Sequence, residues 1–276
     1  MSKTKLGVIG NGFVGEAISF AFSSIAEMFI YDIDPLRSLN DLESVNKCDY
    51  VFICVPTPMH FDGSQDLSYV ESVFEMATNK PIYIIKSTVL PGTTENLSRK
   101  YPNFKIIFSP EFLTERTAKL DMLTQSRIIL GGDISLTEKV KTLFYKRFKT
   151  KNIIQTDSKT AELTKYMNNT FFASKVSIMN EFKLLCDKIG ANWEDALSGF
   201  ASDGRIGDSH LNVPGHDGKL GYGGTCFPKD VNAILSFAKN NGIELNTILG
   251  GWKTNLNVRT EKDWEDKHGR SVSFKK

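Results

Sequence analysis

Six consecutive residues, Gly10-Asn11-Gly12-Phe13-Val14-Gly15, restrict the fold more than any other stretch of this 276-residue chain. A short apolar run over residues 6–9 leads into them, and Ala17, Ile18, Ala21 and Phe22 follow at helical spacing. A second apolar run over 28–31 ends at Asp32. Strand, glycine turn, helix, strand and acid in that order make a dinucleotide-binding fingerprint. The glycines permit a tight turn and close approach of a pyrophosphate, which rests on the N-terminus of the helix. Asp32 is spaced to accept hydrogen bonds from ribose hydroxyls and to repel a 2′-phosphate, so NAD is expected over NADP. Arg37 works against that preference, because a nearby arginine is how such sites admit the phosphate.

Further strands are expected over 50–55, 82–85, 105–108, 127–130 and 152–154, separated by helical or loop segments. The pattern predicts an α/β domain, a Rossmann-like doubly wound parallel sheet. Polar clusters stand where strands end: Pro56-Thr57-Pro58, then Ser87-Thr88, then Ser109-Pro110-Glu111 with Glu115. Ligands in open α/β sheets bind at the carboxyl ends of strands, so these clusters are expected beside the nicotinamide end of the cofactor.

Chemistry is concentrated further on, in Gly221-Tyr222-Gly223-Gly224-Thr225-Cys226-Phe227-Pro228-Lys229-Asp230. Pro228 opens what reads as a helix, with Val231, Ile234, Leu235 and Ala238 at helical spacing and Gly242 to end it. Cys226 is therefore expected just ahead of a helix N-terminus, with Lys229 and unsatisfied N–H groups favouring its thiolate. The small residues before it would let a ligand approach the backbone closely. These features mark Cys226 as a nucleophile.

Between these regions, Asp157 or Ser158 can cap a helix that runs to Gly190 and is about 45 Å long. Its apolar positions are Leu163, Met167, Phe171, Ile178, Phe182, Leu185 and Ile189. Lys165 and Asn169 share a face roughly opposite Leu163 and Met167, and are candidates to point into a cleft facing Cys226. Residues 203–224 read as a glycine-rich loop too long for an idle connection. Residues 243–276, with Trp252 and Trp264, read as a tail that packs on the body. The expected organisation is a nucleotide domain over 1–156, an all-α central domain built on the long helix over 157–242, and a tail over 243–276.

The net charge of +2 gives no reason to expect nucleic acid or an anionic membrane as partner. No secretory signal is visible, and no apolar run reaches bilayer-spanning length. Cys48, Cys54, Cys186 and Cys226 lack CxxC spacing, and His60, His210, His216 and His268 lack ligand spacing. Neither a metal site nor a disulfide framework is expected, and the cytoplasm is the expected location.

The motifs taken together resemble the UDP-glucose/GDP-mannose dehydrogenase family. They are GNGFVG at Gly10, CVPTP at Cys54, KSTVLPGTT at Lys86, SPEFLTE at Ser109, AELTKYMNNTF at Ala161, NEF at Asn180, DGRIG at Asp203 and GYGGTCFPKD at Gly221. The resemblance runs from Lys5 to about Gly242. It implies NAD-dependent oxidation of the C6 alcohol of a nucleotide sugar to a carboxylate, in two steps, with UDP-glucose the leading substrate. It implies a homodimer formed through the long helix. Cys226 matches the nucleophile that forms a thiohemiacetal and then a thioester. Lys165 and Asn169 match oxyanion-stabilising groups, and Asp230, Thr88 and Glu115 match groups that position water and move protons. Thr57, Thr88, Glu115 and Lys229 join the glycine turn, Asp32 and Arg37 as cofactor contacts. Substrate contacts are implied for Glu111, Phe112, Leu113, Thr114, Glu115, Lys165 and Asn169, then His210, Leu211, Asn212, Val213, Pro214 and Gly223. Arg205 matches an arginine that reaches the substrate of the partner subunit. Thr114 departs from the arginine the family often has there. The family's second Rossmann-like domain would begin where this chain stops, so the chain resembles a short form. Two other readings are a β-hydroxyacid dehydrogenase, which needs no cysteine, and a non-catalytic protein that binds NAD or a nucleotide sugar.

Overall fold

The computed structural model describes residues 3–149 and 152–274. Met1, Ser2, Thr150, Lys151, Lys275 and Lys276, which the expected domain ranges include, lie outside the described residues. Within the described residues seven strands form one sheet in the order β2-β1-β3-β4-β5-β6-β7. They are β1 (Thr4–Ile9), β2 (Ala26–Tyr31), β3 (Tyr50–Ile53), β4 (Ile82–Ile85), β5 (Lys105–Phe108), β6 (Arg127–Gly131) and β7 (Asn152–Thr156). The first five run parallel to one another. The expectation of a parallel sheet fails at β6, which meets β5 antiparallel through the single pair Phe108 and Gly131, while β7 runs parallel to β6. A parallel neighbour needs a crossover connection, and residues 109–126 instead send the chain through a short helix that packs on the first one.

Ten α-helices accompany the strands among the described residues. They are α1 (Phe13–Phe22), α2 (Leu42–Asn46), α3 (Ser68–Met76), α4 (Thr93–Lys100), α5 (Ala118–Thr124), α6 (Ile134–Arg147), α7 (Ser158–Ile189), α8 (Trp193–Ala201), α9 (Cys226–Asn240) and α10 (Asn246–Val258). Strand residues alternate between two apolar clusters: Phe52 and Ile84 belong to one, Val51, Ile53, Tyr83 and Ile85 to the other. A sheet buried on both faces explains why these strands read as continuous apolar runs.

The chain divides into two compact units, Met1–Thr57 with Asp66–Lys165, and Pro58–Gln65 with Tyr166–Lys276. The division falls inside α7 rather than at 156, and a short segment from the first third of the chain joins the second unit. Residues 243–274 contain α10, and Trp264 is almost fully buried.

The long helix inverts the usual arrangement of polar and apolar faces. Asp157 caps it by accepting from Thr160 N–H at 2.8 Å, and Gly190 ends it at φ +75°. Leu163, Met167, Phe171, Ile178, Phe182, Leu185 and Ile189 are all exposed, whereas Glu162, Lys165, Asn169, Thr170, Ser177 and Asn180 are buried. Buried polar groups require partners. Glu162 finds them on α4: its carboxylate accepts from Gly92 N–H at 2.6 Å, Thr94 N–H at 2.8 Å and Thr94 Oγ1 at 2.6 Å. One helix thus supplies the N-terminal cap of another.

Burial pushes the Glu162 carboxyl up to about 6, although the hydrogen bonds from Thr94 and Gly92 pull the other way. The native state therefore holds this proton more tightly than the unfolded chain. The resulting stabilisation is fully present below about pH 4.5 and is lost as pH rises through about 6. Glu162→Gln should remove that dependence, so the urea-midpoint difference between wild type and variant should change across pH 4–7. A difference independent of pH would contradict the assignment. Glu162→Ala should lower stability by about 1–3 kcal/mol at pH 5, because buried N–H groups lose their acceptor.

Candidate active site

In the first unit the glycine turn has the geometry its sequence predicts. Gly10 adopts φ +94°, and a Cβ there would lie 2.7 Å from the Cys54 carbonyl oxygen. A Cβ on Gly15 would overlap the Gly10 carbonyl, so these two glycines serve the close contact of turn, helix and strand. Gly12 differs, with nothing within 4 Å of its would-be Cβ. It is the N-cap of α1 and brings no side-chain cap to the helix that Phe13 and Val14 open. Asp32 accepts from Asn11 N–H at 2.6 Å and from Asp34 N–H at 2.9 Å. A carboxylate has lone pairs left for ribose hydroxyls after two such bonds. Arg37 is paired with Asp34 at 3.5 Å, and the Asn11 amide donates to the Arg37 carbonyl at 2.7 Å. An open glycine, an uncapped helix N-terminus and a placed carboxylate fit a dinucleotide.

The polar strand ends of this unit are joined to one another. Thr57 Oγ1 donates to the Thr88 carbonyl at 2.8 Å, and both residues are buried. Lys165 forms a buried ion pair with Glu111 at 3.0 Å and donates to the Glu111 carbonyl at 2.6 Å. The other Glu111 oxygen accepts from Leu113 N–H at 2.6 Å. Burial alone would push the Glu111 carboxyl up, but the Lys165 ammonium, the Leu113 N–H and Lys86 hold it below the ordinary value. The Lys165 ammonium also lies 5.3 Å from the centre of the Phe112 ring. Thr114 and Glu115 are exposed; Thr114 N–H donates to Asp121 at 2.8 Å, and Glu115 opens a 3₁₀ turn.

Lys86 was not singled out from sequence and is buried. It donates to the Pro110 carbonyl at 3.0 Å and to Ser109 Oγ at 3.3 Å, which fixes the turn that carries Glu111. Burial pushes its ammonium down to about 8, against the pull of Cys54 and Glu111. A lysine directly at the end of an apolar strand was the available signal.

In the second unit Cys226 is the first residue of α9, not a residue ahead of it, and Pro228 sits in the first turn. The cysteine is partly buried and forms no disulfide. Thr225 is the N-cap without a side-chain bond to the helix, and its buried hydroxyl has no hydrogen-bond partner among the described residues. Lys229 and Asp230 follow at three and four residues, on the face of α9 that Cys226 shares. Both are buried and paired at 2.5 Å. The second Asp230 oxygen accepts from the Asn169 amide at 2.6 Å. Asn169, Asp230 and Lys229 thus form one chain of buried polar groups a single turn from the thiol.

Residues 202–225 form no regular element, as expected of the glycine-rich loop. Arg205 is 90% exposed and held in a two-pronged pair with Asp203. His210 adopts φ +63° with its ring stacked on Phe172 at 4.3 Å, and burial pushes its imidazole down. Leu211 and Val213 pack with Met179, while Asn212 and Pro214 are exposed. The expectation that glycines here leave room for a ligand needs correction. A Cβ on Gly221 would overlap Asn255 Oδ1, and one on Gly223 would overlap Asp263 and Arg259. Of the three glycines just before Cys226, Gly224, at φ +75°, has open space beside it. Asn255, Arg259 and Asp263 lie in the segment read as a tail and carried no motif that would have identified them.

Known proteins resemble this chain along most of its length. The model for the NAD binding domain of the UDP-glucose/GDP-mannose dehydrogenase family matches residues 31–149, and that for the family's central domain matches residues 159–257. UDP-glucose 6-dehydrogenase of Rickettsia conorii is 36% identical over 225 residues, covering 78% of this chain and 50% of that protein. A UDP-glucose dehydrogenase from the hyperthermophilic archaeon Pyrobaculum islandicum has a similar structure, with TM-score 0.83, 28% identity, and coverage of 93% of this chain and 68% of that one. A Mycobacterium tuberculosis 3-hydroxyisobutyrate dehydrogenase shares the fold at TM-score 0.73 and 15% identity, over 93% of this chain and 94% of its own. This chain spans about half the length of the Rickettsia relative. Two models of one family match in succession along most of the sequence, and the chain belongs to the UDP-glucose/GDP-mannose dehydrogenase family.

Proposed function

We propose that this chain oxidises the C6 alcohol of a nucleotide sugar to the carboxylate with NAD, UDP-glucose being the leading substrate and UDP-glucuronate its product. The observation that carries the reading is Cys226 at the start of α9 with Asp230 one turn later, held by Asn169 and Lys229. The relatives named UDP-glucose 6-dehydrogenase support the choice of substrate. NAD, held by the Gly10–Gly15 turn and Asp32, supplies the electron acceptor for both oxidations. Phe13, Val14, Arg37, Thr57, Thr88, Glu115 and Lys229 complete the proposed cofactor contacts.

A cysteine is useful here because an aldehyde must be retained and oxidised again. The thiolate of Cys226 adds to the aldehyde carbon and holds it as a thiohemiacetal. After the second oxidation the same bond is a thioester, which water cleaves to release the acid and regenerate the thiol. Lys165 and Asn169 stabilise the oxygen that carries charge in these steps. Asp230, fixed by two buried donors, orients the water, with Thr88 and Glu115 assisting proton movement. Residues 111–115, the 210–214 loop and Gly223 are the proposed substrate contacts.

A second copy of the chain is the proposed partner of the exposed apolar face of α7, with Arg205 directed to the partner's substrate. Seven large apolar side chains along one helix face are an interaction surface when left uncovered. A cytoplasmic location is part of the same proposal, since cysteines outside disulfides are usual there. Among the described residues no helix is long and apolar enough to cross a membrane.

Two equivalents of NADH should form per sugar acid, counted by absorbance against acid measured by chromatography; a ratio near one would instead indicate a single oxidation. Cys226→Ala should lower acid formation by about a thousandfold or more while NAD affinity changes little. Acid production at a comparable rate in the variant would remove the covalent mechanism. Light scattering at micromolar concentration should give a dimer, and Phe171→Glu with Phe182→Glu should shift the mass to a monomer. A monomeric wild type would refute the proposed partner.

A further inference from the structure

The segment beyond residue 257, outside the matched central domain, folds back onto the loop from which Cys226 starts. Asp263 accepts from Gly224 N–H at 2.9 Å, two residues before the cysteine. Arg259 is almost fully buried and bridges Asp263 at 2.9 Å and Asp217 at 2.8 Å, so one guanidinium joins both ends of the 217–224 stretch. Just before them, Asn255 binds both backbone groups of Tyr222, accepting from its N–H at 2.7 Å and donating to its carbonyl at 3.0 Å. Ser271 Oγ reaches the Thr225 carbonyl at 3.5 Å. Trp264 anchors the segment, its ring 5.5 Å from Trp252, and residues 271 and 273 bond to Met59 N–H and carbonyl at 2.8 and 2.7 Å.

The glycines of the loop are the counterpart of this clamp. A side chain at 221 or 223 would occupy the volume of Asn255, Asp263 or Arg259. The loop therefore follows a path set by the buried Arg259 guanidinium and its two half-buried carboxylate partners rather than by its own side chains. That path decides where α9 begins and whether Cys226 stands among the unsatisfied N–H groups of its first turn.

We propose that Asp263 and Arg259 are positioning residues for Cys226: by fixing Gly224 N–H and the Gly223 path, they hold the thiol at the N-terminus of α9. The proposal rests on Cys226 being the reactive thiol, but its test does not need sugar oxidation. The rate of Cys226 carbamidomethylation by iodoacetamide is read across pH 6–10 by peptide mass spectrometry on the full chain. Cys48 and Cys54 give little background, because burial pushes both thiols up to about 12.

Asp263→Ala and Asp263→Glu should each raise the pH midpoint of alkylation by about 0.5 unit or more, and slow the reaction at pH 7.5 by about threefold or more. Asp263→Asn keeps an acceptor for Gly224 N–H and should recover most of the wild-type profile. Lys262→Ala, at an exposed neighbour, should leave the profile unchanged. Circular dichroism and melting identify any variant that does not fold, and Asp263→Glu, which keeps the charge for Arg259, carries the test if the alanine variant fails. Folded variants whose midpoint and rate match wild type while their melting temperature falls would overturn the proposal and leave the clamp a purely structural contact. If Cys226 positioning responds as expected and no sugar acid forms, the proposed activity fails and the positioning role stands.

Discussion

Two charges taken out of water together, Lys165 and Glu111, set the terms for the first unit. Each is less than a tenth exposed, and a lone buried charge of this kind is destabilising by several kcal/mol. The pair is tolerable because each charge meets the other and a further hydrogen-bonding group. The ammonium takes the carboxylate and a carbonyl, and the carboxylate also takes Leu113 N–H. Removing either partner would leave the other uncompensated, at about 3–5 kcal/mol. Lys86 secures the same turn from the neighbouring strand. The pair is thus a requirement of the fold, and it holds in a fixed place the ammonium that the proposed mechanism uses.

The same helix repeats the device along its buried face. Glu162 caps α4, Lys165 binds Glu111, and Asn169 binds Asp230, at spacings of three and four residues. Neighbouring turns of one helix present these groups to different elements within their own units. The opposite face carries the large apolar side chains. The buried face mixes these polar groups with Tyr166, Ala173, Met179 and Cys186, while the seven large apolar side chains named above stay exposed, an unusual division for an amphipathic helix. The exposed face is the one proposed above to meet a second copy of the chain.

Much of the scaffold was legible because local periodicity and burial coincide in a parallel sheet. Apolar runs located the seven strands of the described residues to within a few residues, and the tight glycine turn was expected where Gly10 adopts φ +94°. The reversed direction of β6 was not legible, because a strand pattern contains no information about direction. Helix α10 was hidden by Gly250 and Gly251, which lower helix propensity. Gly251 brings that helix close to Ser177 of α7, whose hydroxyl donates to its carbonyl at 2.7 Å.

The site divides the same way. From the sequence alone came the nucleotide turn with Asp32, the cysteine at a helix start, and the pairing of Lys165 with Asn169 on one helix face, since each is a matter of residue type at short spacing. Only the tertiary structure decided that Lys165 is held by Glu111, that Asp230 is held by Asn169 and Lys229, and that Gly223 faces Arg259 and Asp263 rather than open space. A residue's type and spacing determine which groups can share a helix face. Which distant group fills the space opposite depends on how separated segments pack, and a buried polar side chain has no identity as a partner until that packing removes water from around it.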